Sequence, residues 1–237
     1  MNTYLNPQAA AEACGAQILS WLAEAQRTAK MVSLAVSGGS TPKIMFDWIA
    51  KQHFDWSTVH LFWVDERAVP PDDDQSNFRM TKEHLIEPAG IPEANVHRVL
   101  AELDADKAAH FYEDEIALHF RICDGDLPRF DVIHLGMGAD AHTASLFPGE
   151  RLIHDRKQIT AAVHVKKLGQ SRITLLPAVL LQASNVAILA CGEDKAEPLA
   201  QVLNSPYAPA EYPLQVVARN RTSVHWFVDQ AAAARLA

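Results

Sequence analysis

This chain predicts an α/β fold: a three-layer arrangement with a largely parallel sheet and helices on both faces. Three observations carry the prediction. Strand-like and helix-like patterns alternate along the 237 residues, which implies crossover connections between parallel strands. Several of the strand candidates are apolar at nearly every position, as strands buried on both faces are. The strands also run out into glycine, hydroxyl or charged residues, the pattern found where ligand sites gather at the carboxyl ends of parallel strands.

The elements follow in order. Residues from Pro7 to about Ala29 carry Ile18, Leu19, Trp21 and Leu22 amid alanines and predict a helix. The stretch "MVSLAVSGGSTP" (31–42) reads as a buried strand to Val36, a loop, and a helix over 42–51 with Thr41 as its cap and Pro42 in its first turn. Further strands are expected at 58–64, 130–135, 160–165, 185–190, 214–218 and 223–228, and further helices at 76–86, 104–121, 173–183, 194–203 and 229–236. No repeat, low-complexity tract or Gly/Ser-rich linker divides the chain, so a single domain over 1–237 is expected.

Composition narrows the partners. A formal net charge of -8 without a basic stripe argues against nucleic acid and anionic membrane surfaces. No stretch reaches the length of a membrane span, and the opening residues lack the pattern of a secretory signal. Cys14, Cys123 and Cys191 lie far apart, which suggests neither a disulfide framework nor a zinc site. A cytoplasmic protein is expected, and a monomer. The run Asp72-Asp73-Asp74 reads as a solvated loop, so no metal is expected, and His60, His134, His164 and His225 read as packed or singly exposed side chains within strands.

The candidate chemistry lies after three strands. Ser37, Gly38, Gly39, Ser40 and Thr41 join a strand to a helix amino end, where unpaired N–H groups and the helix dipole favour an anion such as phosphate. Asp65-Glu66-Arg67 follows the strand at 58–64, and "GMGADAHTASLFP" follows the strand at 130–135. An anion cradle, an arginine and a histidine at one sheet edge suit acid–base chemistry on a phosphorylated small molecule.

"SGGSTP", "WVDER" followed by "DDDQSNFRM", "GMGADAHTASLFPG", "SRITL", "CGEDKAEPLAQVL" and "WFVDQAAA" together resemble the 6-phosphogluconolactonase family from about Met31 to Ala232. The resemblance implies a Rossmann-like sheet related to glucosamine-6-phosphate deaminase. It also implies hydrolysis of 6-phospho-D-glucono-1,5-lactone, a phosphorylated sugar lactone, with no cofactor. His142 would activate water and return a proton to the ring oxygen, because a histidine titrates near neutral pH. Asp140 would orient the imidazole. Arg67 would face the lactone carbonyl or a sugar hydroxyl, and Asp65 would bind substrate hydroxyls or position Arg67. Arg172 and Lys195 would hold the phosphate with Ser37–Thr41.

Two other functions share parts of this pattern. A deaminase-isomerase would have tyrosine in place of Arg67 and an asparagine–glutamate pair where this chain has Ser145-Leu146-Phe147-Pro148. A non-catalytic sugar-phosphate sensor would have no need of His142 and Asp140. One departure from the lactonase pattern is Ala141, where the family has glycine. A methyl group there is expected to be tolerated provided the backbone angles are not strictly those of glycine.

Overall fold

A computed structural model of the chain describes residues 1–123, 125–221 and 224–236. Six strands form a fully parallel sheet: β1 (Asn2–Tyr4), β2 (Val32–Val36), β3 (Val59–Trp63), β5 (Val132–Gly136), β8 (Asn185–Ala190) and β9 (His225–Asp229). Their order across the sheet is β1-β9-β8-β5-β2-β3. A second, antiparallel sheet joins β4 (Asp65–Arg67), β7 (Gln170–Leu175) and β6 (Thr160–Val165) in the order β4-β7-β6.

The helices are α1 (Pro7–Gln26), α2 (Ser40–Ile49), α3 (Asn77–Thr81), α4 (Glu87–Ala89), α5 (Ala105–Phe120), α6 (Pro177–Gln182), α7 (Ala196–Asn204) and α8 (Gln215–Asn220). A π-helical turn at Lys82–Ile86 makes α3 and α4 one continuous segment. Among the described residues no helix is long and apolar enough to cross a membrane.

Local chemistry accounts for several boundaries. Asn6 accepts the Ala9 N–H at 2.9 Å, and Pro7 supplies a preset first turn, so α1 begins there. Its buried positions Ala10, Ala11, Cys14, Ile18 and Leu22 recur every three or four residues and form one stripe. All five residues of β2 are buried, as befits a strand with neighbours on both sides. In the sheet, β2 lies between β3 and β5, and the chain winds away from the β2–β5 pair in opposite directions. A crevice therefore opens at the carboxyl ends of these two central strands.

The structure revises the predicted elements at five places. Helix α2 starts at Ser40 with Gly39 as its N-cap, so Thr41 belongs to the first turn and is not the cap. Residues 173–175 complete strand β7, and the helix after them begins at Pro177, where the ring sets the first turn.

The run 214–218 contributes to helix α8. A short, mostly apolar and mostly buried run does not distinguish strand from helix by its period. Tertiary bonds decide it: Gln215 and Arg219, one helical turn apart, both donate to the Val202 carbonyl near the end of α7. The strand at 160–165 pairs antiparallel outside the main sheet. The alanine-rich tail after Asp229 forms turns, the Ala232 N–H donating to the Asp229 side chain, in place of a helix. Of the strand predicted over 223–228, Ser223 lies outside the described residues. Strand β1, which pairs with β9, has no counterpart in the predicted elements.

Two features bear on later sections. His60 is not a singly packed side chain, because it clusters with His97 and His119. Ala141 adopts a left-handed backbone, φ +61°, as does Ala144 at φ +51°. The condition under which alanine would be tolerated at 141 without strain is therefore not met. The left-handed region costs a residue with a Cβ about 1–2 kcal/mol.

Relief of that strain should offset what Ala141→Gly loses in unfolded-chain entropy, about 0.4–1 kcal/mol, and in one buried methyl, about 0.8 kcal/mol. The substitution should leave the denaturation midpoint nearly unchanged. Ala11→Gly, at a buried position in the middle of α1, should cost about 1–2 kcal/mol. Equal losses in the two variants would contradict the strained reading of 141.

Candidate active site

The loop after β2 is tied to the neighbouring strand. Ser37 donates its hydroxyl to the His134 carbonyl at 3.0 Å. Gly39 sits at φ +131° and caps α2 without any side-chain hydrogen bond, and the first turn of α2 contains no acid. The leading N–H groups of this ten-residue helix therefore have no side-chain partner and can accept an anion. Gly38 is needed for a second reason. A Cβ there would lie 1.8 Å from the Asn77 Oδ1, and Asn77 in turn donates to the Asp65 carbonyl at 2.9 Å. The loop thus packs against the segment that carries Asp65 and Arg67.

Pairing of β4 with β7 sets the cationic side of the site. The antiparallel register places Asp65 opposite Thr174 and Arg67 directly opposite Arg172. Like charges facing each other across strands repel. Asp65 relieves this only in part: its carboxylate lies 3.8 Å from the Arg172 guanidinium and accepts the Ser145 hydroxyl at 2.7 Å. Burial holds Arg172 below its ordinary pKa and Arg67 adds to that, against the pull of Asp65. The Nε atoms of both arginines are buried without a hydrogen-bond partner.

Among the described residues Arg67 forms no ion pair with Asp65 or Glu66, and its guanidinium donates to the Gln75 carbonyl at 2.6 Å. Glu66 has a different role: its carboxylate accepts the N–H groups of Asn77 and Phe78 at the start of α3.

The loop after β5 presents the histidine. Asp140 accepts from the His142 Nδ1 at 2.5 Å and from Lys167. Burial works against its ionisation, but the bonds from His142 and Lys167 prevail and hold this carboxyl well below the usual carboxylate range. The stabilisation it gives the loop is therefore present above the ordinary carboxylate pKa and lost only as pH falls towards the lowered value.

The His142 ring stacks on Phe147 with centroids 4.2 Å apart. A Cβ at Gly138 would lie 2.0 Å from the His142 Nδ1, so the glycine leaves the space the imidazole occupies. Thr143 donates to the Gly136 carbonyl and the Ser145 N–H donates to Thr174, which fixes the loop against both sheets.

One cleft gathers these groups. Ser37, Gly38, Gly39, Ser40, Thr41, Asp65, Arg67, His142, Arg172 and Lys195 all line it. Asp140 does not line it and stands behind His142. Lys195 follows β8 and is paired with Asp194 at 2.7 Å.

Sequence reasoning missed Asn77, Gly138 and Lys167. The glycine within "GMGADAH" was a readable signal, but nothing local connects Lys167 with a carboxylate 27 positions earlier. The acids at 72–74 do not converge: Asp74 pairs with Arg79 and Asp73 accepts the Gln75 N–H.

Known proteins share this chain's sequence pattern and fold. A family model described as glucosamine-6-phosphate isomerases/6-phosphogluconolactonase matches residues 5–226. A 6-phosphogluconolactonase of Synechocystis is 36% identical over 212 residues, 86% of this chain and 84% of that protein. The solved 6-phosphogluconolactonase of Trypanosoma brucei superposes with a TM-score of 0.88 at 26% identity, covering 100% of this chain and 98% of the other. A monomeric glucosamine-6-phosphate deaminase superposes with a TM-score of 0.84 at 16% identity over 99% and 98% of the two chains, which shows a shared fold. The α/β sheet architecture, the residues gathered at its central crevice and the extent of these matches lead to one conclusion: the chain belongs to the 6-phosphogluconolactonase family, with the glucosamine-6-phosphate isomerase-like fold.

Proposed function

We propose that this protein hydrolyses 6-phospho-D-glucono-1,5-lactone to 6-phospho-D-gluconate, the second step of the oxidative pentose phosphate pathway. The observation that carries the proposal is the facing pair Arg67 and Arg172, with unpartnered Nε atoms, in one cleft with the uncapped start of α2 and with His142. Arg172 and a row of free N–H groups suit a multiply charged anion, and Arg67 beside them offers a second positive charge for the reacting carbonyl. A histidine oriented by an ionised carboxylate supplies a proton acceptor.

The reaction follows from these assignments. With Nδ1–H donated to Asp140, the His142 Nε2 holds a lone pair and takes a proton from water as its oxygen adds to the lactone carbonyl carbon. Arg67 stabilises the charge that develops on the carbonyl oxygen. Collapse of the tetrahedral intermediate breaks the bond to the ring oxygen, and the proton on Nε2 passes to that leaving oxygen. The carboxylic acid product ionises in water. Ser37–Thr41, Arg172 and Lys195 hold the 6-phosphate at a distance from the reacting carbon, and Asp65 keeps Arg172 in place. Arginine at position 67, where the deaminases of this fold carry tyrosine, favours lactone hydrolysis over deamination.

A coupled assay with freshly generated lactone, corrected for spontaneous hydrolysis, tests the activity. Rates no faster than background would refute it, and ammonia release from glucosamine 6-phosphate would favour a deaminase. His142→Ala should lower turnover by on the order of 10²- to 10⁴-fold, while the affinity for 6-phosphogluconate, measured by calorimetry, changes much less. Near-normal turnover in that variant would move the role of base to another residue. Arg172→Ala should weaken 6-phosphogluconate binding by about 1.5–3 kcal/mol, and unchanged affinity would remove Arg172 from the phosphate site. Chelator treatment should leave turnover intact, because no step passes through a metal. Activity lost to the chelator and restored by zinc or magnesium would overturn the mechanism.

A further inference from the structure

Three histidines meet at the opposite end of β3 from the cleft. His60 lies at the start of the strand, five positions before Asp65, a separation of roughly 16 Å along an extended chain. His97 follows the 3-10 turn at Glu93–Asn95 and is held beside the strand by its N–H donated to the Leu61 carbonyl at 2.9 Å. His119 occupies the last turn of α5. One ring nitrogen from each lies within 4.8 Å of the others, and all three side chains are half-buried. Residues this far apart in sequence come together only through tertiary packing.

The arrangement has a built second layer. His97 Nδ1 bonds the Glu115 carboxylate at 2.6 Å, while its Nε2 is 2.8 Å from the His60 Nδ1. A carboxylate on one ring nitrogen fixes the tautomer: Nδ1 carries the proton and Nε2 keeps its lone pair directed at the cluster. Glu115 and His119 are one helical turn apart on α5, so the same helix presents a ring nitrogen and the carboxylate that orients the neighbouring ring. Phe62 stacks on His97 with centroids 4.4 Å apart and packs edge-on against His119 at 5.0 Å, which makes one wall of the cluster apolar. A surface hollow lined in part by His97, Glu115 and Leu118 lies beside His97.

We propose that His60, His97 and His119 form a binding site for one divalent transition-metal ion of the zinc class, with water in the fourth position and Glu115 orienting His97. Three imidazoles with an open fourth position suit such an ion. Metal–nitrogen bonds of about 2.0–2.1 Å place tetrahedral ligands about 3.3 Å apart. The His60–His97 pair therefore opens by roughly half an ångström as the metal replaces the proton shared between the two rings. That proton leaves to solvent, or is retained on the far nitrogen of His60. The ion joins β3, the segment after it and the end of α5, and has no part in lactone hydrolysis.

Zinc titration of the chelator-stripped full chain by calorimetry, with cobalt(II) absorption as the spectroscopic probe, tests the site. One ion per chain should bind, the cobalt form should show the visible bands of a four-coordinate centre, and the thermal midpoint should rise with zinc concentration. His60→Ala and His119→Gln should each abolish the cobalt bands. Glu115→Gln should weaken binding by about 10- to 100-fold, and His142→Ala should bind zinc as the unaltered chain does. X-ray absorption of the zinc-loaded unaltered chain should report three imidazole nitrogens, a reading that does not depend on any variant folding. No saturable binding would overturn the site, as would binding that survives the His60 and His119 substitutions or disappears with His142. None of these measurements uses turnover, so the site and the proposed activity can fail separately.

Discussion

The opposition of Arg67 and Arg172 across a two-strand pairing is the constraint around which the cleft is organised. Two guanidiniums brought together at the edge of a buried sheet repel, and the pull of Asp65 and Glu66 does not offset burial and that repulsion at Arg172. The protein keeps them because β4 and β7 are locked from behind. Glu66 points away from the pair and caps α3, Ile173 and Leu175 lie in the core, and Asp65 is fastened to Ser145 and Asn77. The folded chain thus holds two guanidiniums close together at low exposure, a state that a bound anion would relieve. An acidic protein overall can be strongly cationic at one place.

Rigid supports on each side of that centre hold the remaining groups. Gly38 has no Cβ because Asn77 occupies the space, so the loop Ser37–Thr41 and the arginine segment fit together as one surface. Gly138 has none because the His142 ring occupies the space, and Ala141 and Ala144 accept left-handed backbone on either side of the histidine. Strain of this kind persists only where the surroundings over-determine it. Here the Gly138 N–H donated to the His142 carbonyl closes the loop, and bonds of Thr143, Ser145 and Leu214 pin it to both sheets and to the start of α8. Lys167, from the hairpin between β6 and β7, completes the hold on Asp140.

Strand β3 connects two chemistries. Its carboxyl end leads directly into Asp65 and Arg67, while its beginning carries His60 into a cluster with His97 and His119. The apolar residues between them, Leu61, Phe62 and Trp63, are fully buried and separate the two ends by the thickness of the core. Tyr112 bridges the same strand to α5 by donating to the Trp63 carbonyl and accepting its N–H. The helix that supplies Glu115 and His119 is therefore anchored to the strand that leads to the cleft.

The alternation of strands and helices, the buried run of β2, the glycine–hydroxyl loop that follows it, and the three segments that converge at the sheet edge are legible in the order of residues alone. These are local properties, set by side-chain periodicity, by proline and glycine, and by residue types adjacent in the chain. Their family pattern brought in Arg172 and Lys195 as well, and the cleft is lined by both. Tertiary structure decided the rest. Whether 173–175 and 214–218 were strand or helix depended on partners elsewhere: β6 for the first, the carbonyls at the end of α7 for the second. The left-handed angle at Ala141 is imposed by the bonds around its loop and leaves no mark on residue type. Lys167 meets Asp140, and His60 meets His97 and His119, only because the folded chain brings distant segments within hydrogen-bonding range, a relation that neither periodicity nor spacing encodes.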